Sequence, residues 1–166
     1  MKIYIVGIVA SGKSTLARCL SSELGIPHYE LDVIVHGEKG ELAHRRTPAQ
    51  QRELICHIDA GGDWIIEGTY RASCHLVLDL ADRIVFLDPP LSLRRRRILT
   101  RFVKQQLGIE PCRYESDLAM LRRMYKWTRD FERDRPSFEA MLAPYAQKLI
   151  RAGSVEEAAS AVNAIS

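Results

Sequence analysis

The stretch "GIVASGKST", Gly7 to Thr15, decides how this chain is read. It follows the apolar run "KIYIV" and runs into "KSTLARCLSSEL", where Leu16, Cys19, Leu20 and Leu24 recur at helical spacing. A strand, a glycine-bearing loop and a helix in that order aim backbone N–H groups and a positive helix end at one point, which is how phosphate is held. Gly7, Gly12, Lys13 and Ser14 fill the fixed positions of G-x-x-x-x-G-K-[ST]. Ile8 and Val9 do not break that pattern, because only the glycines must avoid a side chain. The nucleotide-binding candidates are Gly7, Ala10, Ser11, Gly12, Lys13, Ser14 and Thr15. In such a loop the lysine reaches the outer phosphates and the serine hydroxyl ligates Mg2+.

The rest of the composition sets bounds. A chain of 166 residues, 46% apolar and 27% charged, is expected to form one domain with one sizeable core. No run approaches the roughly 18 apolar residues of a membrane span. "IYIVGIVA" is too short for a secretory leader and leads straight into Ser-Gly-Lys-Ser, so a cytoplasmic protein is expected. Cys19, Cys56, Cys74 and Cys112 form no C-x-x-C pair, and are expected as free thiols. His28, His36, His44, His57 and His75 show no metal-binding spacing. The net charge of +3 hides an asymmetry: residues 94–135 hold 13 Lys and Arg against 6 Asp and Glu. Such a segment expects an anion.

Short apolar runs alternate with helical stretches along the whole chain. "IPHYEL", "DWIIEG", "DRIVFLD" and "QKLIRAGS" read as further strands, and "VIVHGEKGELAHRR" as a connection without a period. "TPAQQRELICHIDAGG" reads as a helix with Thr47 as cap and Pro48 at its first position. "LSLRRRRILTRFVKQQLG" and "SDLAMLRRMYKWTRDFERD" read as helices, with "PSFEAMLAPYA" as a separate one and "SVEEAASAVNAI" closing the chain behind Ser154 and Glu157. Trp64 is expected in the core, and Trp127, Met120, Met124 and Phe131 as a packing stripe. The pattern predicts an α/β fold whose parallel sheet is covered on both faces. Ligands of such sheets bind beyond the carboxyl ends of the strands. Asp32, Glu67 and Asp88 each follow a strand and are candidates to converge there, with Asp88 the weakest because Pro89-Pro90 follows. On the helix after it, Arg94, Arg97, Arg101 and Lys104 share one face, opposite Ile98, Leu99, Phe102 and Val103. Arg113, Arg122, Arg123 and Arg129 are candidates to join that anion-binding face, and a nucleic-acid patch is the alternative reading.

These residues resemble the adenylate-kinase-like P-loop kinases, and within them bacterial proteins described as DNA topology modulation proteins. The resemblance rests on "GKSTLA", "HYELD", "DWIIEGTY", "ADRIVFLDPP" and the pair Arg97 and Arg101. It implies a three-layer P-loop NTPase fold with a five-stranded parallel sheet, an acceptor-binding arm at about 33–60 and a basic helical lid at about 94–135. It implies ATP and Mg2+ as cofactors, catalytic roles for Lys13, Asp32, Arg97 and Arg101, and Mg2+ held by Ser14 and Asp32. It places the acceptor at Asp32, Glu67 and Gly68, with Tyr70 beside them. Nucleotide kinases carry a "DGFPR"-type motif whose arginine binds the acceptor phosphate. Here "EGTYRAS" stands instead, with Glu for Asp and Arg71 read as differently spaced, so the acceptor is left unnamed. The expectation is a kinase acting on a small molecule or nucleotide. The alternative is a nucleotide-dependent regulatory or DNA-associated NTPase.

Overall fold

The computed structural model describes residues 1–37, 45–109 and 117–164. His44, Cys112 and Arg113, and parts of the expected arm and lid, lie outside the described residues. Five parallel strands form one sheet in the order β2-β3-β1-β4-β5: β1 Lys2–Val6, β2 His28–Glu30, β3 Trp64–Gly68, β4 Arg83–Leu87 and β5 Leu149–Ala152. The helices are α1 Lys13–Leu24, α2 Leu31–His36, α3 Pro48–Ala60, α4 Leu76–Leu80, α5 Leu91–Gln106, α6 Leu118–Leu142 and α7 Val155–Asn163. β1 lies between β3 and β4, so the chain leaving it turns to one side of the sheet while the later strands extend the other. That reversal opens a crevice at the carboxyl end of β1, where the phosphate loop begins.

Strand residues alternate between two apolar faces. Ile3, Ile5, Ile65 and Val85 pack with Leu16, Leu20, Ala158 and Val162 of α1 and α7. Tyr4, Val6, Ile66 and Phe86 pack with Leu31, Ile34, Ile55, Val77 and Leu142 on the other face. Both faces are apolar because both are covered, as a parallel sheet requires. Trp64 is fully buried as expected, and its indole N–H donates to Asp59 at 3.0 Å. Among the described residues no helix is long and apolar enough to cross a membrane, and Cys19, Cys56 and Cys74 are free.

Caps follow the sequence. Gly25 closes α1 with φ 68°. Thr47 and Gln50 form a reciprocal capping box on α3, with Pro48 next to the cap. Ser154 accepts from the Glu157 amide at the start of α7.

Three expectations are corrected. Residues 31–36 form the short helix α2 rather than strand end and connection, because Leu31, Ile34 and Val35 fall on one face that the sheet buries. Residues 118–142 form a single helix through Pro136. An internal proline removes one hydrogen bond and strains the turn before it, yet aromatic packing holds both halves in place. Phe131 and Phe138 stand 5.4 Å apart on either side of that turn, and Phe138 meets Phe86 of β4 at 5.2 Å. Trp127, at helical spacing from Met124 and Phe131, is 44% exposed and so stands at the open edge of that stripe rather than packed within it.

Because Phe86 anchors that aromatic cluster, Phe86→Ala should cost about 3–5 kcal/mol in urea unfolding. Native-state hydrogen exchange should quicken first in α6 around Pro136.

Candidate functional site

The phosphate loop is shaped by what it cannot accommodate. A Cβ on Gly7 would stand 2.6 Å from the Leu87 carbonyl oxygen, so only glycine lets the loop leave β1 against β4. Gly12 has φ 108°, and a Cβ there would meet Val155 at 3.0 Å. Ala10 takes a positive φ of 60°, which costs a residue with a Cβ some strain and bends the loop round its centre. Ile8 is buried and packs inward, as its place in the motif allows. Ser11 is buried, and its hydroxyl oxygen has no hydrogen-bond partner. An orphaned buried hydroxyl at the middle of a phosphate loop fits a site built for further oxygen contacts. Thr15 lies exposed in the first turn of α1.

Lys13 folds over the loop, and its Nζ donates to the Ile8 carbonyl at 2.9 Å. Burial pushes the Lys13 ammonium down from its usual range; the charges of Glu67 and Asp32 push it back up, and Arg101 adds to the lowering. Lys13, Asp32, Glu67 and Arg101 are therefore one electrostatic cluster. The Ser14 hydroxyl donates to Glu67 Oε1 at 2.6 Å. Glu67 is 5% exposed. Burial pushes its carboxyl above the usual range, Lys13 and the Ser14 hydroxyl pull it back, and Glu30 and Asp32 push it up again. Glu67, expected at the acceptor, thus lies against Ser14 on the phosphate side. A serine hydroxyl with an adjoining carboxylate is an oxygen donor set suited to Mg2+.

Gly68 makes the closest approach in the site. A Cβ on it would lie 2.4 Å from Leu31 Cβ. The next residue, Asp32, is thereby set at the edge of the crevice, with its side chain 66% exposed. Arg71 Nη2 donates to Asp32 Oδ1 at 2.6 Å, and Arg71 Nε is buried without a partner. Arg71 is the residue the sequence reading undervalued. Counted from the acid, it stands fourth after Glu67, the same place as the arginine of "DGFPR", so its spacing matches that motif and is the signal that marks it. Tyr70 turns away from this edge: its hydroxyl meets His75 Nδ1 at 3.0 Å, and its ring packs on Phe138.

The basic segment divides. Arg97 Nη1 donates to the Ser11 carbonyl at 2.8 Å, bracing the outer side of the loop. Arg101 acts on Lys13 through its charge. Arg94, expected on the same face, is 1% exposed and held elsewhere: its Nε donates to the Pro89 carbonyl at 3.0 Å, and it pairs with Glu132. Asp88, expected at the phosphate edge, is bound by both terminal nitrogens of Arg135, at 2.5 and 3.0 Å. Burial opposes the charge on Glu132, but hydrogen bonds from Arg135 and Arg94 outweigh it and hold its carboxyl below the usual range. These four residues join the start of α5 to β4 and α6, and they leave Asp88 no part among the converging acids. Of the apolar residues placed opposite these arginines, Ile98 is buried, while Leu99 and Val103 are 49% and 46% exposed. Among the described residues no group of three His, Cys, Asp or Glu is placed to hold a metal.

No family model matches the chain. A segment of 58 residues is 36% identical to the shikimate kinase of Aquifex aeolicus (strain VF5), covering 32% of this chain and 34% of that protein. The match thus spans about a third of the curated relative's length. Over the whole fold, the chain superposes on the crystal structure of that organism's shikimate kinase with a TM-score of 0.55, at 18% identity, covering 99% of this chain and 95% of the other. The shikimate kinase of Bacteroides thetaiotaomicron gives 0.61 at 18% identity, covering 99% and 97%. The shikimate kinase from Acinetobacter baumannii in complex with shikimate gives 0.55 at 17% identity, covering 99% and 92%. These likenesses show the fold: a five-stranded P-loop kinase fold of the shikimate-kinase type. They name no DNA topology modulation protein.

The burial of Glu67 carries a pH prediction. Its folded pKa lies above its unfolded one, so the native state binds more protons between the two values, and stability falls as pH rises through that window. Glu67→Gln keeps an oxygen to accept from Ser14 and removes the charge. It should flatten this fall, read by thermal unfolding from mildly acidic to neutral pH.

Proposed function

We propose that this chain is a small-molecule kinase that transfers the γ-phosphoryl group of ATP, with Mg2+, to a hydroxyl of an anionic acceptor. The observation that carries the reading is the cluster of Lys13, Ser14, Glu67 and Asp32 at the carboxyl edge of a sheet of the shikimate-kinase type, with Arg71 beside it. The loop fits a nucleotide: Gly7 and Gly12 keep side chains out of it, and the Ser11 hydroxyl is buried without a partner. Mg2+, when bound, supplies charge neutralisation on the phosphates; Ser14 and Glu67 are the residues to hold it, with Asp32 near enough to share its field.

Each residue then has a role that its surroundings explain. Lys13 is released from the Ile8 carbonyl to bind the outer phosphate oxygens. Its proximity to Glu67 and Asp32 supports the charged form against burial. Arg97 fixes the loop from behind through the Ser11 carbonyl, and Arg101 adds positive charge where negative charge grows during transfer. The exposed Asp32 carboxylate accepts the hydrogen bond of the acceptor hydroxyl and takes its proton. Arg71 Nε, without a protein partner, binds a carboxylate or phosphate on the acceptor. A hydroxyl and an anion on one small molecule is the chemistry of shikimate, which one of the superposed relatives binds. A nucleoside monophosphate, for which Arg71 holds the matching position in "EGTYR", is the other candidate acceptor; it would take the phosphoryl group on a phosphate oxygen, with no hydroxyl proton for Asp32 to remove. The arm around residues 33–60 and the lid around 94–135 are read as closing over the two substrates, which keeps water from taking the phosphoryl group. The finer likeness to DNA topology modulation proteins rests on sequence motifs alone and assigns no chemistry.

The test is an ATP-consumption screen with hydroxy acids, including shikimate, and nucleoside monophosphates, against a control without acceptor. One acceptor should raise consumption at least about tenfold; a flat response would point to an NTPase or a nucleotide switch instead. Lys13→Ala should lower kcat by about 10²–10³ or more. Arg71→Ala should act chiefly on KM for the acceptor, while KM for ATP stays near wild type.

A further inference from the structure

The far flank of α5 carries a second cationic site. Arg95 stands two residues before Arg97, hence about 200° round the helix from the face that braces the phosphate loop. It faces Arg122, Tyr125, Lys126 and Arg129 of α6, whose spacing of three, four and seven residues puts them on one side of that helix. Together the five residues line an open cleft of about 340 Å3 between α5 and α6. The Tyr125 hydroxyl donates to the Arg95 carbonyl at 3.2 Å, which clasps the two helices at the cleft. The four cations are exposed, and among the described residues none forms an ion pair with an acid. The acids nearest in sequence are engaged: Asp130 and Asp134 pair with Arg133, and Asp117 caps α6 through the Met120 amide. Four like charges around one cleft repel one another unless an anion sits between them.

We propose that this cleft binds a small phosphate-bearing anion, at a site separate from the phosphate loop. The size of the cluster favours a compact ligand over a nucleic-acid strand. From Arg122 to Arg129 the helix rises about 10 Å, room for two or three neighbouring phosphate groups. A single strand is tracked over at least about four nucleotides. Along α6 the basic stripe gives way to the Asp130–Arg133–Asp134 group after Arg129. The guanidinium forks of Arg95, Arg122 and Arg129 suit bidentate contact with phosphoryl oxygens, and Lys126 adds a point charge. Since α5 carries Arg97 on its other flank, an anion here also fixes the helix that braces the loop. The proposal does not depend on phosphotransfer.

The experiment titrates inorganic pyrophosphate calorimetrically into the full chain, with Lys13→Ala as the background so that the loop contributes little. The background protein should keep a pyrophosphate site, and adding Arg122→Ala with Arg129→Ala should weaken it at least about tenfold. Lys126→Ala alone should weaken it less. These side chains are exposed and mutually repulsive, so the Tm of each variant without anion should equal or exceed that of its background, and a loss of binding then is not a loss of fold. No binding in the background protein, or undiminished binding after both arginines are removed, overturns the proposal. So does a twelve-nucleotide single-stranded DNA that binds the background protein more than tenfold tighter than pyrophosphate and loses that binding with the same two arginines.

Discussion

A hydrogen bond of 2.6 Å from the Ser14 hydroxyl to the buried Glu67 carboxylate ties the start of α1 to the end of β3, and the site is arranged around it. A carboxylate that is 5% exposed is costly unless its charge is met. Ser14 and Lys13 meet it, and both come from the first turn of the helix that the phosphate loop leads into. Glu67 in turn supports the charge of a lysine that burial pushes the other way. The loop, the helix and the third strand are therefore one electrostatic unit. One residue further on, Gly68 lets Leu31 close over the strand, so the same strand end that holds the phosphate side also sets Asp32 at the acceptor side.

The basic segment shows how one charge run serves several ends. Thirteen Lys and Arg in residues 94–135 read as a single anion-seeking face. In the fold they separate by the partners each one meets. Arg97 and Arg101 turn toward the loop. Arg94 and Arg135 are spent on Glu132 and Asp88, fixing how α5 and α6 leave the sheet. Arg95, Arg122, Lys126 and Arg129 gather on the far side. Arg94 is buried, so removing Glu132 would strand its charge away from water, while the Arg135–Asp88 pair is half-buried.

Much of the fold was legible. The loop motif between a strand and a helix, the glycine stops, and the Thr47 and Ser154 caps depend on neighbours a few residues apart, and all appear where the sequence puts them. What was misjudged involved distant partners. Helix α2 exists because the sheet buries one side of a segment with no clear period of its own. Helix α6 continues through Pro136 because Phe86, Phe131 and Phe138 lock together across that turn. Arg71 was legible by counting from Glu67, yet its bond to Asp32 joins residues 39 apart in the chain.

By itself, the sequence determined the phosphate loop, the alternation of strands and helices, and the acids after the strands, because each follows from local spacing and local backbone geometry. Tertiary structure alone decided what those acids and arginines do. It set Glu67 against Ser14, Asp32 against Arg71, and Asp88 against Arg135, and it turned Arg94 inward while Arg97 faced the loop. The reason is that a side chain's charge and partners depend on burial and on groups brought near from elsewhere in the chain, which spacing along one element does not carry.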